Sequence, residues 1–140
     1  MVSDAVLDPQ HALQMIEMMK SVVDNGTASS LRTVYGFDNE IAGKTGTTQN
    51  NTDGWFIGYT PVLITGVWVG GDNPKVRFRY GGYGQGAAAA LPIWARYMQK
   101  IYRDPLYKYS KNISFQIPDE VLLDLDCEYY RESRKRRFWH

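Results

Sequence analysis

Cysteine is almost missing from this chain: Cys127 is the only one in 140 residues, so no disulfide can form within it. The two histidines, His11 and His140, stand at opposite ends of the sequence, and no Cys/His spacing resembles a metal-ligand set. Neither a metal nor a cofactor is expected. Long hydrophobic runs are also missing, since nothing approaches the ~18 apolar residues of a membrane span. The N-terminus has no charged stretch leading into an apolar one, so no signal peptide is expected and the chain as given should be soluble. Charge of one sign is missing too. Sixteen Lys and Arg stand against fifteen Asp and Glu, a formal net charge of +1, which gives no whole-chain field to attract nucleic acid. Basic residues do alternate with aromatics at Lys75, Arg77, Phe78, Arg79 and Tyr80, but without a surrounding basic face no nucleic-acid partner is expected.

What is present is a globular composition, 44% hydrophobic and 14% aromatic, enough for one domain with a modest core. Asp8-Pro9 reads as an N-cap followed by proline at the first helical position. Ala12, Met15, Ile16, Met19, Val22 and Val23 then recur at helical spacing, predicting a helix over 9–24 with a buried apolar stripe, ended by Asn25-Gly26 in the left-handed region. A single helical turn is expected near 30–34. Strands are expected at 40–48, 54–59 and 63–69, joined by short loops as an antiparallel meander. Residues 75–80 alternate in polarity like an exposed ribbon, and the glycines at 81, 82, 84 and 86 read as a flexible connector. Leu91, Trp94, Met98, Ile101 and Tyr102 draw one face of a helix over 87–102, with Pro92 early in it, where a lost hydrogen bond costs least. From 104 the chain turns polar, with one short strand expected at 121–125 and a basic, solvated end. The fold class is α+β: a three-stranded antiparallel sheet flanked by an N-terminal and a C-terminal helix.

The run Ile41-Ala42-Gly43-Lys44-Thr45-Gly46-Thr47-Thr48 is the most informative stretch. On a strand, the period of two sends Lys44 and Gly46 one way and Thr45 and Thr47 the other. Glycine weakens a strand, so Gly46 suggests the close approach of a ligand or another backbone. A nucleotide-binding reading of Gly43-Lys44-Thr45 fails, because a phosphate loop needs glycine where Asp38 stands and a helix afterwards. The glycines at 82, 84 and 86 likewise lack the βαβ setting of a dinucleotide fingerprint.

Lys44-Thr45-Gly46-Thr47-Thr48 is followed by Asp53-Gly54-Trp55-Phe56-Ile57-Gly58-Tyr59-Thr60-Pro61 and by Gly66-Val67-Trp68-Val69-Gly70, and preceded by Val22-Val23 and Gly26-Thr27. Together, over residues 6–102, they resemble the transpeptidase domain of class A penicillin-binding proteins. The resemblance implies that residues 1–103 are the C-terminal part of such a domain, an incomplete β-lactamase/transpeptidase-like fold, and that 104–140 form a partly ordered extension. It also implies a peptidoglycan D,D-transpeptidase as the parent protein, acting on stem peptides and trapped by β-lactams. The parent would be anchored in the bacterial cytoplasmic membrane with this domain on the outer side, and would carry a glycosyltransferase domain. By the motif match, Lys44 supplies positive potential and aids proton movement, and the Thr47 N–H joins the oxyanion hole. Thr45, Gly46, Thr47 and Thr48 would hold the substrate and its carboxylate.

That chemistry also needs a serine with a lysine three residues on and a Ser-x-Asn, both before the Lys-Thr-Gly. Ser29-Ser30-Leu31-Arg32 puts Arg32 at the lysine position, and a guanidinium cannot lose its proton to act as a base. Ser110-Lys111-Asn112 comes after Lys44 rather than before it. The chain alone is therefore expected to be inactive, and to self-associate through the 63–69 strand, which lacks its partner. Trp55 and Trp68 are expected in the core. The alternative reading is a self-contained binding module that shares only the strand motif.

Overall fold

The computed structural model describes residues 7–116 apart from Pro74, and Met15–Gln116 form one compact unit. The expected strand at 121–125 lies outside the described residues. Helix α1 (Pro9–Asp24) starts as its sequence predicts: Asp8 accepts the Gln10 N–H through Oδ1 at 2.8 Å and the Ala12 N–H through its carbonyl at 3.0 Å. Its apolar stripe is less buried than expected, since Val23 is fully covered while Met15 remains 42% exposed. The end of the helix also differs. Gly26 does not take a left-handed conformation; it packs on the helix instead, where a Cβ would meet Val22 Cα at 2.8 Å. The Ala28 N–H then bonds back to the Val22 carbonyl at 3.0 Å.

Helix α2 (Ser30–Thr33) is the expected single turn, and Gly36 at φ 69° supplies the left-handed turn that follows. Arg32 fixes this loop. Its guanidinium pairs with Asp24 at 2.8 Å and donates to the carbonyls of Phe37 and Asn39 at 3.0 and 2.6 Å.

Strands β1 (Ala42–Thr47), β2 (Asp53–Tyr59) and β3 (Ile64–Gly70) form the antiparallel meander in the order β1-β2-β3. Each matches its predicted position within two residues. The register pairs Thr45 with Phe56, Gly46 with Trp55, and Trp55 with Trp68. One face therefore carries Thr45, Thr47, Phe56, Gly58, Val67 and Val69, and the other carries Lys44, Gly46, Trp55, Ile57, Ile64 and Trp68.

The first face is the inner one. Helix α5 (Leu91–Arg103) has Pro92 in its first turn and covers this face with Leu91, Trp94, Ala95 and Met98, all buried. Trp94 packs edge-on to Phe56 with ring centroids 5.2 Å apart, and lies so close over Gly58 that a Cβ there would sit 2.6 Å from the indole. Val23, Ala28, Leu31, Phe37 and Ile41 complete the core.

Two expectations are corrected between β3 and α5. Residues 75–80 form no ribbon, and among the described residues no strand lies alongside to receive one; they run as bends and turns, with the Phe78 N–H bonded to the Asn51 carbonyl at 3.1 Å. The glycine-rich segment is not a loose connector. It makes two helical turns, α3 (Gly81–Gly84) and α4 (Gly86–Ala89), in which Gly84 and Gly86 are buried, and α5 starts at Leu91 rather than at 87. Trp55 and Trp68 are corrected too. They lie on the outer face, 43% and 42% exposed, tilted against each other at 6.4 Å.

Candidate active-site strand

β1 is an edge strand among the described residues, and the phase of its hydrogen bonding decides what that edge offers. The Thr48 N–H bonds to the Asp53 carbonyl at 3.2 Å. Bonded and non-bonded pairs alternate in an antiparallel ladder, so the next bonded pairs are Gly46 with Trp55 and Lys44 with Ile57. The central strand obeys the same phase from its other side, where the Thr60 N–H bonds to the Leu63 carbonyl at 2.9 Å. The N–H and C=O groups of Thr45 and Thr47 consequently point away from β2, toward the free edge. Lys44 leans to that edge as well, its ammonium donating to the Thr45 carbonyl at 2.7 Å.

The threonine hydroxyls face the helix side, and each has a partner there. Thr45 Oγ1 lies 2.8 Å from Thr27 Oγ1, in the turn after α1. Thr47 Oγ1 accepts the Gly86 N–H at 3.1 Å. An N–H can only donate, so the Thr47 hydroxyl keeps its own proton to give elsewhere. Gly86 comes this close only because it lacks a side chain: a Cβ would run into the carbonyl oxygens of Gly46 and Trp55. The hydroxyl of Thr48 is used within the hairpin, 2.7 Å from Thr52 Oγ1 and accepting the Asp53 N–H at 3.1 Å. Asn50 and Asn51, both at positive φ (62° and 54°), make the turn between.

Of the residues singled out from sequence, Lys44, Thr45, Gly46 and Thr47 thus share one edge, and Thr48 closes the turn beside them. The near-miss motifs have structural work. Arg32 clamps its loop as described, Lys111 pairs with Asp38 at 2.7 Å, and the Ser110 hydroxyl donates to the Tyr107 carbonyl at 2.6 Å. The Lys111 hydrogen bond holds the Asp38 carboxyl below the usual range.

At the other end of β1, Glu40 accepts from Lys20 at 3.3 Å and from the Phe115 N–H at 2.6 Å, and Lys20 also reaches Glu17 at 2.9 Å. Burial draws the Lys20 pKa down, but the hydrogen bonds to Glu17 and Glu40 outweigh it and leave the pKa above the ordinary value. Burial raises the pKa of Tyr59, whose hydroxyl donates to Met19 Sδ at 3.2 Å.

Sequence reasoning overlooked Thr27 and Gly86 as neighbours of the site. Thr27 has a place in the motif order but no local mark of its contact with Thr45, and nothing local to Gly86 signals a bond to a strand 39 residues away. The site is open. A cavity of about 210 Å³ lined by Thr52, Val69, Val76 and Phe78 sits past the hairpin tip and includes none of the Lys44–Thr48 run. Among the described residues no group of three or more His, Cys, Asp or Glu is placed to hold a metal ion, and no helix is long and apolar enough to cross a membrane.

The family model of the penicillin binding protein transpeptidase domain matches residues 2–103. Penicillin-binding protein 1A of Neisseria lactamica is 42% identical over 127 residues, 91% of this chain and 14% of the relative. The protein of the same name from Aquifex aeolicus is 39% identical over 124 residues, 81% of this chain and 16% of the relative. That of Neisseria cinerea is 36% identical over 128 residues, 91% and 15%. The chain therefore spans about one-seventh of the length of these curated relatives. With the Lys-Thr-Gly strand at the edge of an antiparallel meander and the family match running from residue 2 to the end of α5, the chain belongs to the penicillin-binding protein transpeptidase domain family.

Proposed function

We propose that this chain is part of a serine-type D,D-transpeptidase that cross-links peptidoglycan stem peptides, and that β1 is the strand on which the donor peptide lies. The observation carrying this reading is the edge of β1, free among the described residues. Two backbone N–H groups, Thr45 and Thr47, point outward from it, and the Lys44 ammonium stands beside them. An extended peptide can add to such an edge through main-chain bonds. Gly46, between the two threonines, keeps that approach clear of a side chain.

In the reaction so assigned, a serine from sequence outside these residues attacks the penultimate D-alanyl carbonyl. The terminal D-alanine leaves, and the amine of a neighbouring stem takes the acyl group. The Thr47 N–H donates to the developing oxyanion, and the Thr45 and Thr47 hydroxyls hold the terminal carboxylate. Lys44 raises the local positive potential and eases proton transfer. Thr48 supports the ligand through the shape of the turn, since its hydroxyl is engaged in the hairpin. β-Lactams, which present a carboxylate and a reactive carbonyl, would be trapped at the acyl stage.

The parent protein is proposed to be held in the bacterial cytoplasmic membrane, with this domain outside and a glycosyltransferase domain in the same chain. The 140 residues contain no serine followed three residues later by lysine, so this chain alone should take no label from a fluorescent penicillin. A stoichiometric serine-linked adduct seen by mass spectrometry would overturn that.

The test of the main reading is Lys44→Ala in the full-length protein. Penicillin acylation should slow by about a hundredfold or more while the fold is retained. Unchanged acylation kinetics would reduce Lys44 to a surface residue.

A further inference from the structure

We infer that Thr27 is a positioning residue for the carboxylate subsite: its hydroxyl donates into Thr45 Oγ1 and so turns the Thr45 proton toward the ligand. This rests on the reading of Thr45 as a carboxylate donor. The two oxygens are 2.8 Å apart, and either could be the donor. The ligand settles the direction, because a carboxylate only accepts. If Thr45 gives its proton to the carboxylate, the bond to Thr27 must be received by Thr45, and Thr27 is the only one of the pair left to donate. The Thr27–Thr45–carboxylate chain then runs in one sense, each bond polarising the next.

The rest of the strand shows why this pairing matters. The Thr47 hydroxyl has its polarity set by a main-chain group, the Gly86 N–H, which cannot reverse. Thr45 depends on a hydroxyl, which can. Thr27 is, however, well supported. Gly26 before it packs on Val22 with no room for a Cβ, and Ala28 after it is fully buried and bonded to the Val22 carbonyl at 3.0 Å. The turn thus holds the Thr27 side chain against β1 from a rigid base, as a subsite that must be ready before the ligand arrives requires.

The experiment uses the full-length protein and two probes, benzylpenicillin and its methyl ester, which differ only in the carboxylate. The readout is the ratio of their second-order acylation constants. Thr27→Val keeps the branched shape and removes the hydroxyl, and should lower the ratio about five- to tenfold by slowing the carboxylate probe alone. Thr27→Ser should restore it to within about twofold. If Thr27→Val proves unstable, Thr27→Ala gives the same comparison. A ratio unchanged in the hydroxyl-less variants, or both probes slowed equally, overturns the inference. Thr45→Val separates the two levels of the claim. A ratio untouched by Thr45→Val sinks the assignment of Thr45 itself, whereas a ratio lost in Thr45→Val and kept in Thr27→Val sinks only the role of Thr27.

Discussion

The inner and outer faces of the sheet are built from the same kinds of residue and behave in opposite ways. On the inner face Phe56 is fully buried under Trp94 of α5, itself fully buried, and Gly58 has no room for even a methyl group beneath the indole. On the outer face Trp55, Ile57, Trp68 and Ile64 are between 42% and 74% exposed, and Gly66 would admit a Cβ at ordinary contact distance. Hydrophobicity does not distinguish the two. Interlocking does: the inner face is close-packed against α5, where a change of one methylene is felt, and the outer face is only an apolar surface.

The largest effect that would break this comparison is Trp94→Ala. Emptying the inner face should cost about 3–5 kcal/mol in a urea unfolding experiment. A loss as small as that of an exposed residue would mean the inner face is not the core. Next comes Gly58→Ala, expected to destabilise by about 1–3 kcal/mol through overpacking against Trp94. A neutral result would show that the indole can slide.

A smaller effect is expected at the Glu17–Lys20–Glu40 cluster. The Lys20 pKa is raised in the folded state, so its contribution is fully present below the ordinary value of 10.5 and is lost as pH rises through the higher folded value. Melting curves taken across that alkaline window should show a steeper loss for wild type than for Lys20→Met. Parallel curves would remove the cluster from the account.

The smallest stability effect belongs to the outer face. Ile64→Thr should change unfolding free energy by no more than about 0.5 kcal/mol. It should still weaken association of the isolated chain, which we propose occurs through this face and the uncharged β3 edge. Light scattering over a concentration series checks it, and a wild-type chain that stays monomeric at high concentration would exclude the contact.

How much could be read in advance follows from how local each feature is. The cap at Asp8, the proline opening α5, the three strands and the Lys44–Thr47 alternation depend on neighbours a few residues away, and the sequence displays them. Which tryptophan is buried does not, because Trp55 and Trp94 are equally apolar and differ only in what lies opposite. The alternation at residues 75–80 looks like a strand but has no strand to pair with among the described residues. Gly84 and Gly86 read locally as flexibility, yet Gly86 is where the chain touches the backbone of Gly46 and Trp55. The edge itself was legible as a motif, but the outward aim of the Thr45 and Thr47 amides required the phase of the ladder.

The Gly86–Thr47 bond also bears on the order in which the site takes shape. The hairpin between β1 and β2 closes across a span of five residues, from Thr48 to Asp53, whereas the Gly86 bond closes one of 39. Loop-closure entropy rises with span, so the meander is expected to assemble first and the clasp on Thr47 after it. On that expectation the strand is made before the hydroxyl on it is aimed. Pulse-labelled amide exchange during refolding should protect Trp55, whose N–H faces β1, before Gly86, and simultaneous protection would mean that strand and clasp form in one step.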